Sequence, residues 1–171
     1  MADFDITGAQ EDDAFSTDKT PAPTVLDAIK ADLQAAVKND PITLSVPKRE
    51  RWTIRYNANV SADMMARWRK AARDKTMADG FDGMKYACLI LANQCEVAMF
   101  DGQIATDDLG NELNFRNMKF LEMIGAARAI DAVRKFYGVD GDILRAVEAI
   151  LVAAGYDSEE QEAEADPTLL A

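Results

Sequence analysis

The sequence predicts an α+β fold, mainly helical: a helix bundle with a short β-hairpin and strand–turn elements, flanked by disordered acidic termini. Three observations carry this expectation. Apolar residues recur at helical spacing through most of the chain between residues 24 and 155. Two short runs, "ITLSV" and "RWTIRY", alternate instead, which is the period of a half-buried strand. The net charge of −11 resides in the ends: residues 1–20 carry −5, residues 155–171 carry −6, and residues 21–154 hold 18 acids and 18 bases. Acidic stretches poor in aromatic and β-branched residues bury too little apolar surface to offset ordering. The expected organisation is therefore a disordered segment over 1–22, a single globular domain over 23–156 and a disordered tail over 157–171.

Taken in order, "TVLDAIKADLQAAVKND" opens with Thr24 as a cap and Asp27 in the first turn. Val25, Leu26, Ile29, Leu33, Ala36 and Val37 form its stripe, and Pro41 ends the helix. Ile42, Leu44 and Val46 share one strand face. Trp52, Ile54 and Tyr56 share another, and "PKRE" joins the two strands as a hairpin. Ser61 opens a helix through "ADMMARWRKAARDKTMAD" with Met64, Trp68, Ala71 and Ala72 inward. After a break at "GFDG", "MKYACLILANQCEVAMF" reads as a buried helix in its first part and as a strand at its end. A long helix over 117–137 follows, with Phe120, Leu121, Ile124, Ala127, Ile130, Ala132, Val133 and Phe136 as its stripe. The last helix uses Asp140 as its cap, places Ile143, Leu144, Val147, Ile150 and Leu151 on one side, and closes at Gly155.

Chemistry is narrowed by what is missing. The chain has no histidine, which removes the commonest metal ligand and the commonest neutral-pH base. Neither Cys88 nor Cys95 sits in a CxxC pair. Their spacing, two turns along one helix face, exceeds the reach of a disulfide and predicts free buried thiols. Phosphate-binding glycine loops are absent. No apolar run approaches the roughly 18 residues of a membrane span, and the start of the chain lacks the pattern of a signal peptide. No enzyme activity, metal or cofactor is expected, and the free thiols fit a reducing cytoplasm.

Two stretches remain. "MFDGQIATDDLGNELNF", Met99 to Phe115, is rich in acids but meets the calcium-loop spacing in neither register. It reads as strand, Asp-Gly hairpin turn, strand and a second turn, with Met99, Ile104, Leu113 and Phe115 free to pack on the helices. Residues 47–85 hold ten Lys/Arg against five Asp/Glu. Within them Arg51, Arg55, Arg67, Arg69, Lys70 and Arg73, with Met64 and Met65, form a candidate partner-binding face. Methionines offer an adaptable surface, although methionines at this spacing serve a core equally well. Nucleic acid is a weaker reading, because the body as a whole is neutral and Trp52, Tyr56 and Trp68 fall on inner faces.

The order of features resembles the tail assembly chaperones of long-tailed bacteriophages and prophages, in their short form. The resemblance is carried by "DAIKADLQAAVKNDPITLSVPKRERWTIRYNANVS", by "QCEVAMFDGQIATDDLGNELNF" running into "KFLEMIGAARAIDAVRKFYGVDGDILRAVEAILVAAGY", by Gly155-Tyr156 and by the acidic tail ending "DPTLLA". It spans roughly residues 25–171. It implies a protein of the host cytoplasm that is absent from the mature virion. Such a protein binds the tape measure protein, keeps it soluble and promotes polymerisation of the tail tube protein around it. A longer frameshifted form is often made as well. Alternative readings are a structural head–tail connector or head-completion protein and a small nucleic-acid-binding regulator. The stripes over 117–137 and 141–154 are wide enough to suggest a homo-oligomer. Because the acidic tail cannot order itself, deleting residues 158–171 is expected to leave the melting temperature within about 3 °C; a larger drop in a thermal melt would show that the tail belongs to the folded body.

Overall fold

A computed structural model describes residues 24–35 and 38–156. The fold is α+β, predominantly helical, with one small antiparallel sheet. The acidic segments 1–22 and 157–171, and Ala36 and Val37 of the first stripe, lie outside the described residues. The chain divides into two compact units at Val37/Lys38, so the domain expected over 23–156 has its first helix in a separate unit.

That helix, α1 (Val25–Gln34), begins at a complete capping box: the Thr24 hydroxyl accepts from the Asp27 amide at 3.2 Å, and the Asp27 carboxylate accepts from the Thr24 amide at 3.1 Å. The Thr24 hydroxyl, followed by the Thr24 amide, donates to the Asp27 carboxylate and holds it below its ordinary range. The helix ends well before Pro41, because Ala35 turns extended. Its stripe is amphipathic, and none of its residues is buried.

In the second unit the sheet has the order β1 (Ile42–Val46), β2 (Arg49–Tyr56), β3 (Cys95–Phe100), β4 (Gln103–Ile104), every pair antiparallel. The first turn needs only Pro47 and Lys48. Strand β2 starts at Arg49, ahead of the alternating run, with Arg49 opposite Val46 across an irregularity in the ladder. Arg49 is held there by donating from Nε to the Phe136 carbonyl at 2.9 Å. Trp52, Ile54 and Tyr56 face the helices, and Arg51, Thr53 and Arg55 take the opposite face.

Helix α2 (Ala62–Ala71), capped by Ser61, stops well short of Asp79, where the sequence reading carried it. Asp74 draws the chain into a local turn by accepting from the Thr76 amide and hydroxyl. The shorter helix leaves Ala71 exposed and Ala72 buried. Helix α3 (Gly83–Gln94), capped by Asp82, is the central pillar. It packs against α2, α5 and α6 and buries Ala87, Cys88, Ile90 and Leu91. It passes directly into β3, as the sequence indicated.

The long helix expected over 117–137 is two helices, α4 (Met118–Ile124) and α5 (Ala129–Tyr137). Gly125 breaks it by adopting φ +73°, a left-handed conformation that closes α4. Its carbonyl, freed from the helix ladder, accepts from Lys135 Nζ. The break exposes Ala127 and brings Ala126 against the core instead. Helix α6 (Asp140–Ala153) starts after Val139, so Asp140 lies inside the first turn and is not the cap. Leu144 of its expected inner side is exposed, and Ala146 takes the buried place. Among the described residues no helix is long and apolar enough to cross a membrane.

Deep between sheet and helices the Tyr56 and Tyr137 hydroxyls bond each other at 2.7 Å. Burial raises both, Tyr56 well above the ordinary phenol range and Tyr137 to about 12. A single Tyr56→Phe or Tyr137→Phe leaves one buried hydroxyl without a partner, and we expect each to cost about 1–3 kcal/mol in denaturant melts, with the double variant costing less than their sum. Since both folded values lie above the unfolded one, this contribution is full below pH about 10 and falls as pH rises towards about 12; a pH series of melts should show wild type losing stability there faster than the double variant.

Candidate functional site

The basic face expected from the sequence draws on two elements, β2 and α2 with the turn after it. Arg51 and Arg55 occupy the sheet face opposite the helices, and each has a carboxylate partner. The Arg51 guanidinium donates to Asp101, Nε to Oδ1 at 2.9 Å, and lies 4.1 Å over the Phe100 ring. That bond raises Arg51 and lowers Asp101 relative to their ordinary values. Arg55 Nε donates to Glu96 at 3.0 Å. Helix α2 packs on α3, and its Trp68 belongs to the core. Arg67, Arg69, Lys70 and Arg73 are exposed. Met64 and Met65 are half-buried and packed against the core, with the Met64 amide donating to the Ser61 cap. These methionines line the core more than they present an open surface.

The apolar surface arises elsewhere, from the acidic stretch and the helix that follows it. The Asp-Gly turn forms as expected, with φ +49° at Asp101 and +77° at Gly102. In the second turn Asp107 Oδ1 accepts from the backbone amides of Leu109 and Asn111 at 2.9 and 2.8 Å, and Oδ2 accepts from Asn111 Nδ2 at 3.0 Å; the Asn111 side chain first, and the backbone amides after it, hold the carboxyl below its ordinary range. This acid is fully engaged as a turn former. Leu113 and Phe115 are buried, but Ile104 remains 43% exposed, contrary to the expectation that it packs on the helices. The reason is the length of β4, two residues, too short to fold its side chains under the sheet. Leu109 projects at 87% exposure from the turn.

Helix α4 completes the surface. Asn117 caps it, accepting from the Phe120 amide at 3.1 Å. Phe120 alone of its residues is buried, whereas Met118 and Met123 stand 82% and 67% exposed. A shallow groove lies on each side. One, of about 380 Å³, runs between α4 and the β3–β4 hairpin and is lined by Trp52, Phe100, Ile104, Leu113 and Met123. The other, of about 450 Å³, lies against Met118, Leu121 and Ala126, with Lys119 and Glu122 at its rim. An exposed apolar surface with polar edges is the character of a protein-docking site. The signal legible beforehand was Met118 and Met123 in one short segment, which a continuous helix over 117–137 concealed.

Among the described residues no three His, Cys, Asp or Glu side chains stand close enough to hold a metal. Cys88 and Cys95 are free and buried, as expected, although Cys95 opens β3 and does not continue the helix face of Cys88. Burial raises both thiols, Cys95 to about 12. No family model matches the chain, and no curated protein matches it. A solved structure described as "Crystal structure of the protein yqbn" aligns over 71% of this chain and 90% of that one, at 9% identity and a TM-score of 0.49.

A thiolate is the reactive form of cysteine, so a disulfide reagent at neutral pH should modify neither thiol in the native protein and both after unfolding; labelling faster than global unfolding would show that one of them is reached through a local opening.

Proposed function

We propose that the protein is an assembly chaperone of a long-tailed phage or prophage. It binds the tape measure protein, keeps it soluble and promotes polymerisation of the tail tube protein around it. It acts in the host cytoplasm and leaves no copy in the mature virion. The observation that supports this reading is the exposed apolar surface around α4, open on both sides and presenting two methionines. A tape measure protein is long and helical, and its unassembled apolar faces aggregate. A groove walled by Trp52, Ile104 and Met123 suits one face of an amphipathic helix. Methionine side chains repack around differing sequences at low cost, which a holdase for a long client needs. The motif order in the sequence points to the same family.

The test is co-expression with the tape measure protein encoded in the same genome, scored by client solubility and co-purification. Met118→Ser with Met123→Asp is expected to cut recovery of the client about tenfold or more while leaving the melting temperature within about 3 °C, because both side chains are exposed. Failure of the wild-type chain to raise client solubility would end the chaperone reading. Full recovery with the double variant would move the client-binding surface away from α4.

A further inference from the structure

A second groove, separate from the α4 surface, runs between the outer edge of β1 and α6. It encloses about 140 Å³ and is walled by Leu44 and Ser45 on the strand side and by Asp142, Arg145 and Ala149 on the helix side. Asp142 is only 4% exposed. Its Oδ1 accepts from the Arg145 guanidinium, and its Oδ2 is the buried side-chain oxygen without a hydrogen-bond partner among the described residues. A buried carboxylate oxygen left unpaired is costly, and Asp142 is among the residues that line this opening. Arg145 itself is largely exposed and holds the carboxylate from the solvent side.

The strand beside it is a free edge. Among the described residues β1 pairs with β2 alone, so alternate backbone N–H and C=O groups along it point outward, the arrangement that accepts a further strand. The small side chains of Ala146 and Ala149 let a backbone approach along the helix flank. We propose that this groove docks an extended segment of a partner protein, adding a strand to β1 and placing one arginine or lysine side chain on Asp142. The unpaired anionic oxygen selects the cation, and the open edge selects the extended backbone. The site is independent of the chaperone reading, because it uses no residue of the α4 surface.

The probe is a blocked peptide, acetyl-Thr-Val-Arg-Val-Thr-amide, compared with its norleucine and glutamate counterparts and followed by backbone amide shifts of the isotope-labelled protein. The arginine peptide should move the amides of Thr43, Ser45 and Arg145, and the other two should not. Asp142→Asn should weaken binding about tenfold or more. Arg145→Met, which removes the internal competitor for Asp142, should tighten it, and Ala149→Lys, which fills the groove, should abolish it. Should Asp142→Asn fail to fold, these two variants decide the matter on the same readout. The proposal is overturned by unchanged affinity in Asp142→Asn or in both of the others. It is equally overturned by shifts confined to the acidic ends of the chain, or by no shift at millimolar arginine peptide.

Discussion

Everything that positions the α4 surface depends on one aromatic cluster. Trp52 on β2 meets Phe136 of α5 edge-on at 5.4 Å and Phe120 of α4 at 5.8 Å. Phe120 and Phe136 meet each other at 5.5 Å, and Phe115 touches both at 5.7 Å. Edge-to-face pairs of this kind contribute about 0.5–1.5 kcal/mol each beyond the area they bury, and losing one such side chain from a core costs about 3–5 kcal/mol. The ion pairs of Arg51 and Arg55 are solvent-exposed or half-exposed and contribute much less. Helix α4 has seven residues, too few to be stable alone. Phe120 fastens it to the sheet, Leu121 and Ile124 pack against the core beside it, and Met118 and Met123 are left to face outward.

This division explains a helix that leaves apolar surface uncovered. In a stripe built for burial, residues 118 and 123 would be polar. Here one fully buried anchor holds the helix and two methionines remain open, flanked by two grooves, one of which is lined by Trp52 of the same aromatic cluster. Trp52 belongs to cluster and groove alike: one side of its ring packs inward and another lines the groove beside Met123. A partner seated there would rest on a side chain packed against the core, so it would bind a largely prearranged surface.

Much of this arrangement was legible in the sequence, and what was missed had local causes. The hairpin, the Asp-Gly turn, the α3-to-β3 transition and the buried thiols follow from alternation, turn chemistry and spacing, each a property of neighbouring residues. Gly125 was hidden because an apolar stripe runs through it without interruption, and a left-handed glycine leaves no trace in periodicity. Leu144 and Ile104 are exposed because period alone tells neither how wide a helix face is covered nor how short an edge strand will be. Arg51 and Arg55 of the basic face are engaged by Asp101 and Glu96, and charge counts along the chain do not record partners so distant in sequence. Asp142 carried no local signature at all, because its significance comes from the β1 edge, which is distant in the chain.

The central claim is that α4, held by Phe120, presents the partner-binding surface, and that α2 does not. Labelling the methionine methyl groups and titrating with a soluble segment of the tape measure protein tests it most directly. The expected result is large shifts at Met118 and Met123 with Met64 and Met65 unmoved. Shifts at Met64 and Met65, with the α4 methionines silent, would contradict the account and return the site to the basic helix.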